Sequence, residues 1–116
     1  MSTEAAEAYN QAQYTIKQVI ANGSDSLTLS DSFLSNLPPE VADIRGIKSL
    51  DLTATNISDV SSISTLTSLE HLSLAITPVS DIKAIENLTN LKRLDLHLTQ
   101  VNDLTPLSRL VNLAGC

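Results

Sequence analysis

The chain has no tryptophan, one phenylalanine, one cysteine and three glycines, and aromatic residues make up only 3% of its 116 positions. Each scarcity excludes something. Without aromatics, a core must be built from leucine, isoleucine and valine. The lone Cys116 cannot form an intramolecular disulfide, which suits a reducing compartment. Gly23, Gly46 and Gly115 are too few and too scattered for a glycine-rich phosphate loop. Seven basic residues against thirteen acidic ones give a net charge of −6. That balance argues against nucleic-acid phosphate and against an anionic membrane surface as partners. No apolar run approaches the ~20 residues of a membrane span. "MSTEAAEAYN" at the N-terminus lacks the basic and apolar regions of a Sec signal. A cytoplasmic protein is expected. The alternative is export without a Sec signal as an effector, with which the Ser/Thr/Gln-tinged N-terminus is compatible.

What the chain does have is repetition. "IKSLDLTATNISDVSSI", "LEHLSLAITPVSDIKAI" and "LKRLDLHLTQVNDLTPL" begin 22 residues apart, at Ile47, Leu69 and Leu91. Position 4 of the unit holds Leu50, Leu72 and Leu94, and position 6 holds Leu52, Leu74 and Leu96. Further apolar columns run through Ile57/Val79/Val101, Val60/Ile82/Leu104, Ile63/Ile85/Leu107 and Leu66/Leu88/Leu110. A period of this length marks a solenoid, in which stacked neighbours bury what one repeat cannot bury alone.

Positions 4 and 6 alternate with polar residues, the period-2 pattern of a short strand with one buried face. Ser58-Asp59, Ser80-Asp81 and Asn102-Asp103 are N-cap residues for a short helical turn that follows. Pro106 fits the first turn of such a segment. Each unit is therefore a strand, a turn, a brief helical segment and a return. Upstream, "LTLSDSFLSNLPPEVADI" supplies Leu27, Leu29, Leu34, Leu37, Val41 and Ile44 to an irregular first repeat over 24–46. In residues 3–22, Ala5, Ala8, Tyr9, Ala12, Ile16, Val19 and Ile20 define one apolar helix face. Ser2 or Thr3 caps that helix and Gly23 stops it. The organisation expected is a capping helix over 1–23, the irregular repeat, and three regular repeats plus the start of a fourth over 47–116.

The pattern L-x-x-L-x-L-x-x-T-x-[IV]-x-D-[ILV] resembles the leucine-rich repeat, in the short 22-residue class of bacterial internalins. The likeness covers about 24–116. It implies an α/β fold: a right-handed solenoid with a parallel concave sheet, short convex helical turns and an N-terminal capping helix. It also implies a bacterial source, with the recognition segment of a larger signalling protein or of an injected effector as one alternative function. The preformed concave sheet makes a non-catalytic protein- or peptide-binding module the first expectation. One departure stands out. The family's usual asparagine at position 9 is replaced by Thr55, Thr77 and Thr99, whose hydroxyls can still bond to the turn backbone.

The residues between the frame positions carry the candidate site. Positions 3, 5 and 7 line the concave face, with position 8 at its rim. The strip grades from small hydroxyls in the first repeat to Asp51, His71, Ser73, Arg93, Asp95 and His97 further along, with Ile76 and Leu98 as an apolar edge. These eight residues are the expected partner-binding surface. Enzymatic chemistry is not expected. His71 and His97 are separated by four positions, and Ser73 beside Asp95 lacks the base that a triad requires. No cofactor or metal is expected either: the histidines are too far apart to share an ion, and one aspartate per repeat supplies too few oxygens for calcium. "NIS" at 56 and "NLT" at 87 match glycosylation sequons, but without a signal peptide they carry no expectation.

At the other end, "LAGC" puts Cys116 where a strand leucine belongs. Leu94, Leu96, Leu110, Leu113 and Cys116 therefore mark an edge available for self-association. Three outcomes compete there: a longer natural chain, a homodimer through this edge, or a small irregular cap formed by 113–116.

Overall fold

The computed structural model describes residues 3–114; Ser2 and Cys116, named above, lie outside the described residues. A 20-residue helix, α1 (Thr3–Asn22), opens the chain. Four three-residue strands follow: β1 (Ser26–Thr28), β2 (Ser49–Asp51), β3 (His71–Ser73) and β4 (Arg93–Asp95). They form one parallel sheet in chain order. Its register matches the 22-residue spacing and the 23-residue step before it. Leu27, Leu50, Leu72 and Leu94 are Cα partners in turn, as are Ser26, Ser49, His71 and Arg93.

Between strands the chain returns through single 3-10 turns at Ser61–Ile63, Lys83–Ile85 and Thr105–Leu107, and through a longer one at Pro39–Asp43. The aspartate before each short turn satisfies an otherwise orphaned amide. Asp59 Oδ1 accepts from the Ser61 N–H, Asp81 Oδ1 from Lys83 and Asp103 Oδ1 from Thr105, at 2.9–3.0 Å. The threonines at position 9 tie the opposite corner. Thr55, Thr77 and Thr99 each donate the hydroxyl to the carbonyl three residues back, on Leu52, Leu74 and Leu96. Thr55 and Thr77 are buried, so this bond replaces water that they lose.

The frame leucines, isoleucines and valines form one continuous core from α1 to Leu110. Helix α1 sends Ala12 and Ile16 into it. It ends in a Schellman arrangement, with the Gly23 N–H on Ile20 O and the Ser24 N–H on Val19 O, and Gly23 sits at φ 65°. Ile20, expected on the buried face, is exposed: it is offset from Ile16 in the direction opposite to Ala8, Ala12 and Val19, which pack on the core.

Leu104 is a second departure. Val60 and Ile82, at the same position of the earlier repeats, are 2% and 1% exposed, whereas Leu104 is 55% exposed. Leu96, Val101 and Leu107 are half-buried for the same reason. Each core residue is closed on one side by the next repeat, and the last full repeat has no such neighbour among the described residues. The cost of truncation should follow. Ile82→Ala should cost about 2–5 kcal/mol in urea denaturation, and Leu104→Ala under about 1 kcal/mol. Equal losses at the two positions would contradict a core closed repeat by repeat.

Candidate functional site

The sheet face opposite the core carries positions 3 and 5 of every repeat. Parallel pairing sets Asp51, Ser73 and Asp95 side by side, with Ser49, His71 and Arg93 in the next row. These residues line a shallow trough of about 690 Å³ that runs across the strands, with Ala114 closing one end. Of the eight candidate residues, Asp51, His71, Ser73, Arg93 and Asp95 are therefore brought together.

Their hydrogen bonds divide them. Asp51 Oδ1 accepts from the Thr53 N–H and Asp95 Oδ1 from the His97 N–H, at 3.0 and 2.9 Å, so each carboxylate steadies the start of its own turn. Ser73 Oγ lies 2.6 Å from Thr53 Oγ1 and accepts from the Ala75 N–H. Arg93, His71 and His97 have no side-chain hydrogen bond or ion pair among the described residues. Only Lys92 and Glu70 form an ion pair there, 3.6 Å apart and partly exposed. The free donors of the face are thus Arg93 and the two imidazoles. Ser73 and Asp95 are paired in register, yet each is engaged elsewhere. Among the described residues, no three His, Cys, Asp or Glu side chains converge as metal ligands would.

His97, Ile76 and Leu98 stand apart from the trough. Position 8 is held at positive φ in every repeat: Asp31 at 54°, Ala54 at 59°, Ile76 at 57° and Leu98 at 55°. At the first three of these positions a ladder of hydrogen bonds continues past the strands, while Leu98 keeps the same φ with no such bond among the described residues. The N–H groups of Asp31, Ala54 and Ile76 reach the carbonyls of Thr53, Ala75 and His97 in the next repeat, at 2.7–2.9 Å. The turn closed by the position 9 threonine is common to Ala54, Ile76 and Leu98 and holds them in the left-handed region, where a branched side chain is strained. Aspartate tolerates the site; alanine, isoleucine and leucine gave no sequence signal of it. Ile76 and Leu98 are nonetheless 49% and 67% exposed, so the turn imposes the strain and the core gains nothing from these side chains.

The edge residues proposed for self-association also separate. Leu94 and Leu110 are buried within the chain, Leu96 and Leu113 are half-buried, and Cys116 lies outside the described residues. The Ala114 N–H bonds to Lys92 O, so the segment after Leu113 begins to pair with β4.

Asp59 and Asp103 are the titratable groups the fold shifts clearly. The Ser61 backbone N–H, then its hydroxyl, hold Asp59 below the ordinary aspartate value of 3.8. The Thr105 hydroxyl, then its N–H, do the same for Asp103. Both are fully exposed, so burial hardly opposes the effect.

A parallel-strand solenoid of 22-residue repeats with short return turns defines a class of repeat protein. Residues 67–109 match the family model for leucine-rich repeats in two copies. The fold of the chain is that of the leucine-rich-repeat solenoids. Among solved structures it is similar to internalin C2 of Listeria monocytogenes, with 25% identity and a TM-score of 0.76 over 82% of this chain and 42% of that one. It is also similar to an internalin F of the same organism, at 18% identity and a TM-score of 0.64, over 97% of this chain and 44% of that one. The chain thus spans about two fifths of the length of these internalins. No curated protein sequence matches it. No helix among the described residues is long and apolar enough to cross a membrane.

The pH response of the two shifted aspartates is directly measurable. Because folding lowers both, their stabilising contribution is complete above the ordinary value of 3.8 and is lost as the pH falls below it through the folded values. Carboxyl-carbon NMR titration should place both midpoints below 3.8. Ser61→Ala should move only Asp59 back toward that value, and only in part, because the backbone N–H remains. A midpoint at or above the ordinary value for either would refute the capping role.

Proposed function

We propose that the chain is a non-catalytic module that binds a protein or peptide on its concave sheet face. Leucine-rich repeats generally serve protein interaction, which supports the class of partner. The observation that carries the finer reading is the set of donors left unused on that face. Arg93 and His71 project from adjacent strands into a trough floored by a rigid sheet, and neither has a partner of its own. The sheet has already ordered the backbone that carries them, so binding costs only the freedom of the side chains. Arg93 would take a carboxylate or a backbone carbonyl, Asp51 and Asp95 basic groups, and Ile76 with Leu98 an apolar side chain. Helix α1 serves as the cover of the first repeat, since its Ala12 and Ile16 close the core at that end.

A second reading is self-association through the last repeat. The observation that favours it is the exposed Leu104, with half-buried Leu96 and Leu107 beside it. Such a surface buries apolar area in a symmetric dimer.

Selection of displayed peptides on the wild-type chain supplies binders for the test. Arg93→Ala, Asp95→Ala and Leu98→Ala combined should weaken them by roughly tenfold or more. Unchanged affinity would place the binding face elsewhere. Sedimentation velocity decides the second reading: a dimer that dissociates on Leu104→Lys is expected, and a strict monomer at high concentration refutes it.

A further inference from the structure

We propose that the trough reads a pair of opposite charges, one residue apart, on an extended peptide segment of another protein. This rests on the reading of the concave face as a binding surface and names the partner's chemistry. The charged residues of the trough fall in two rows that the sheet register sets. At position 3, His71 and Arg93 are Cα partners; at position 5, Asp51, Ser73 and Asp95 stand side by side. All five line the same trough, which Ser49 and Thr28 continue without charge. The two rows are separated by two residues along the strands, about 6.6 Å.

The rows offer opposite chemistry. The Arg93 guanidinium and the His71 imidazole carry N–H groups that have no partner among the described residues, on strands about 4.8 Å apart. An anion seated between them can accept from both, and bonds to a charged donor are the strong ones. In the other row, Asp51 and Asp95 each commit Oδ1 to a turn amide, that of Thr53 or His97, which pins the carboxylate in place. Their second oxygens take no hydrogen bond among the described residues. Ser73 between them has its hydroxyl engaged by Thr53 Oγ1 and the Ala75 N–H. It adds neither charge nor bulk, so a cationic head placed over it lies about one strand spacing, ~5 Å, from each carboxylate column.

The two signs do not cancel inside the chain. Arg93 pairs with neither carboxylate, and the one ion pair among the described residues, Lys92 with Glu70, belongs to position 2 of the repeat. A wholly basic partner would set a cation against Arg93, and a wholly acidic one would set an anion against Asp51 and Asp95. A partner carrying both signs satisfies both rows. Spacing then selects its form. Side chains of an extended chain return to the same face at every second residue, which is the separation of the rows themselves. An acid and a base with one residue between them therefore reach both rows together. Placed next to each other, they point to opposite faces and only one engages.

NMR titration of the full chain with four capped peptides tests this: Thr-Glu-Thr-Lys-Thr, Thr-Glu-Lys-Thr-Thr, Thr-Glu-Thr-Glu-Thr and Thr-Lys-Thr-Lys-Thr. The first should bind roughly tenfold more tightly than each of the others and shift the amides of His71, Ser73, Arg93 and Asp95. Arg93→Gln should erase its advantage over the lysine peptide. Asp51→Asn with Asp95→Asn should erase its advantage over the glutamate peptide. Asparagine keeps the oxygen that takes the Thr53 and His97 amides, so this variant retains the turns, as circular dichroism would show. Equal affinity for the first two peptides, tighter binding of either like-charged one by the wild-type chain, or binding of none would overturn the proposal. So would a dimer that Arg93→Gln dissolves, because a second copy would then occupy the trough. Display-selected binders that depend on Arg93 yet carry no such charge pair would defeat this inference alone and leave the concave-face reading standing.

Discussion

Everything in this molecule depends on burial shared across a repeat boundary. No 22-residue unit can close its own core. Ile57, Ile63, Leu69 and their equivalents reach zero exposure only because the next coil lies against them. The parallel ladder keeps the coils in step, from Leu29 N–H on Asp51 O to Leu74 N–H on Asp95 O, each at 2.9 Å. The position 9 threonines bond within their own turns and hold each coil to one shape. Asn90 and Asn112 reach back to Thr67 O and Thr89 O on the return side, and Ser68 reaches Ile47 O. One coil's geometry is therefore the template for the next.

This constraint separates the residues into two sets. Frame side chains answer to the neighbouring coil and cannot vary in size without opening or overfilling the core. On the sheet face and at the turn, Asp51, Ser73 and Asp95 hold turn amides, whereas the side chains of His71, Arg93, His97, Ile76 and Leu98 support nothing inside the molecule. They can change charge, size and polarity while the ladder stays intact. A rigid scaffold with a free surface is what the proposed binding module requires, and the free donors of Arg93 and His71 are the observation that supports it.

The sequence was most legible where the period was strict. The spacing of Leu50, Leu72 and Leu94 fixed both the strands and their register, and the irregular first repeat joined at Leu27 as its own leucines indicated. Leu104 was misread because translation along the repeat assumes a following coil, and its burial depends on one. The left-handed turn at position 8 was invisible for a different reason. Ala54, Ile76 and Leu98 have no preference for it, and the geometry of the turn imposes it on whatever residue stands there. Of the candidate site, the trough residues were recoverable from alternation alone.

The separation of frame from surface is the central claim, and one denaturation experiment tests it most directly. A single chain would carry Ile76→Asn and Leu98→Asn at the strained turns, with His71→Ser, Arg93→Ser and His97→Ser on the face. Its unfolding free energy from urea denaturation should equal or exceed that of the wild-type chain, by about 1 kcal/mol as turn strain is relieved, with the denaturant slope unchanged. An unfolding free energy lower by more than about 1 kcal/mol would show that these side chains support the fold after all, and the division into frame and free surface would fail.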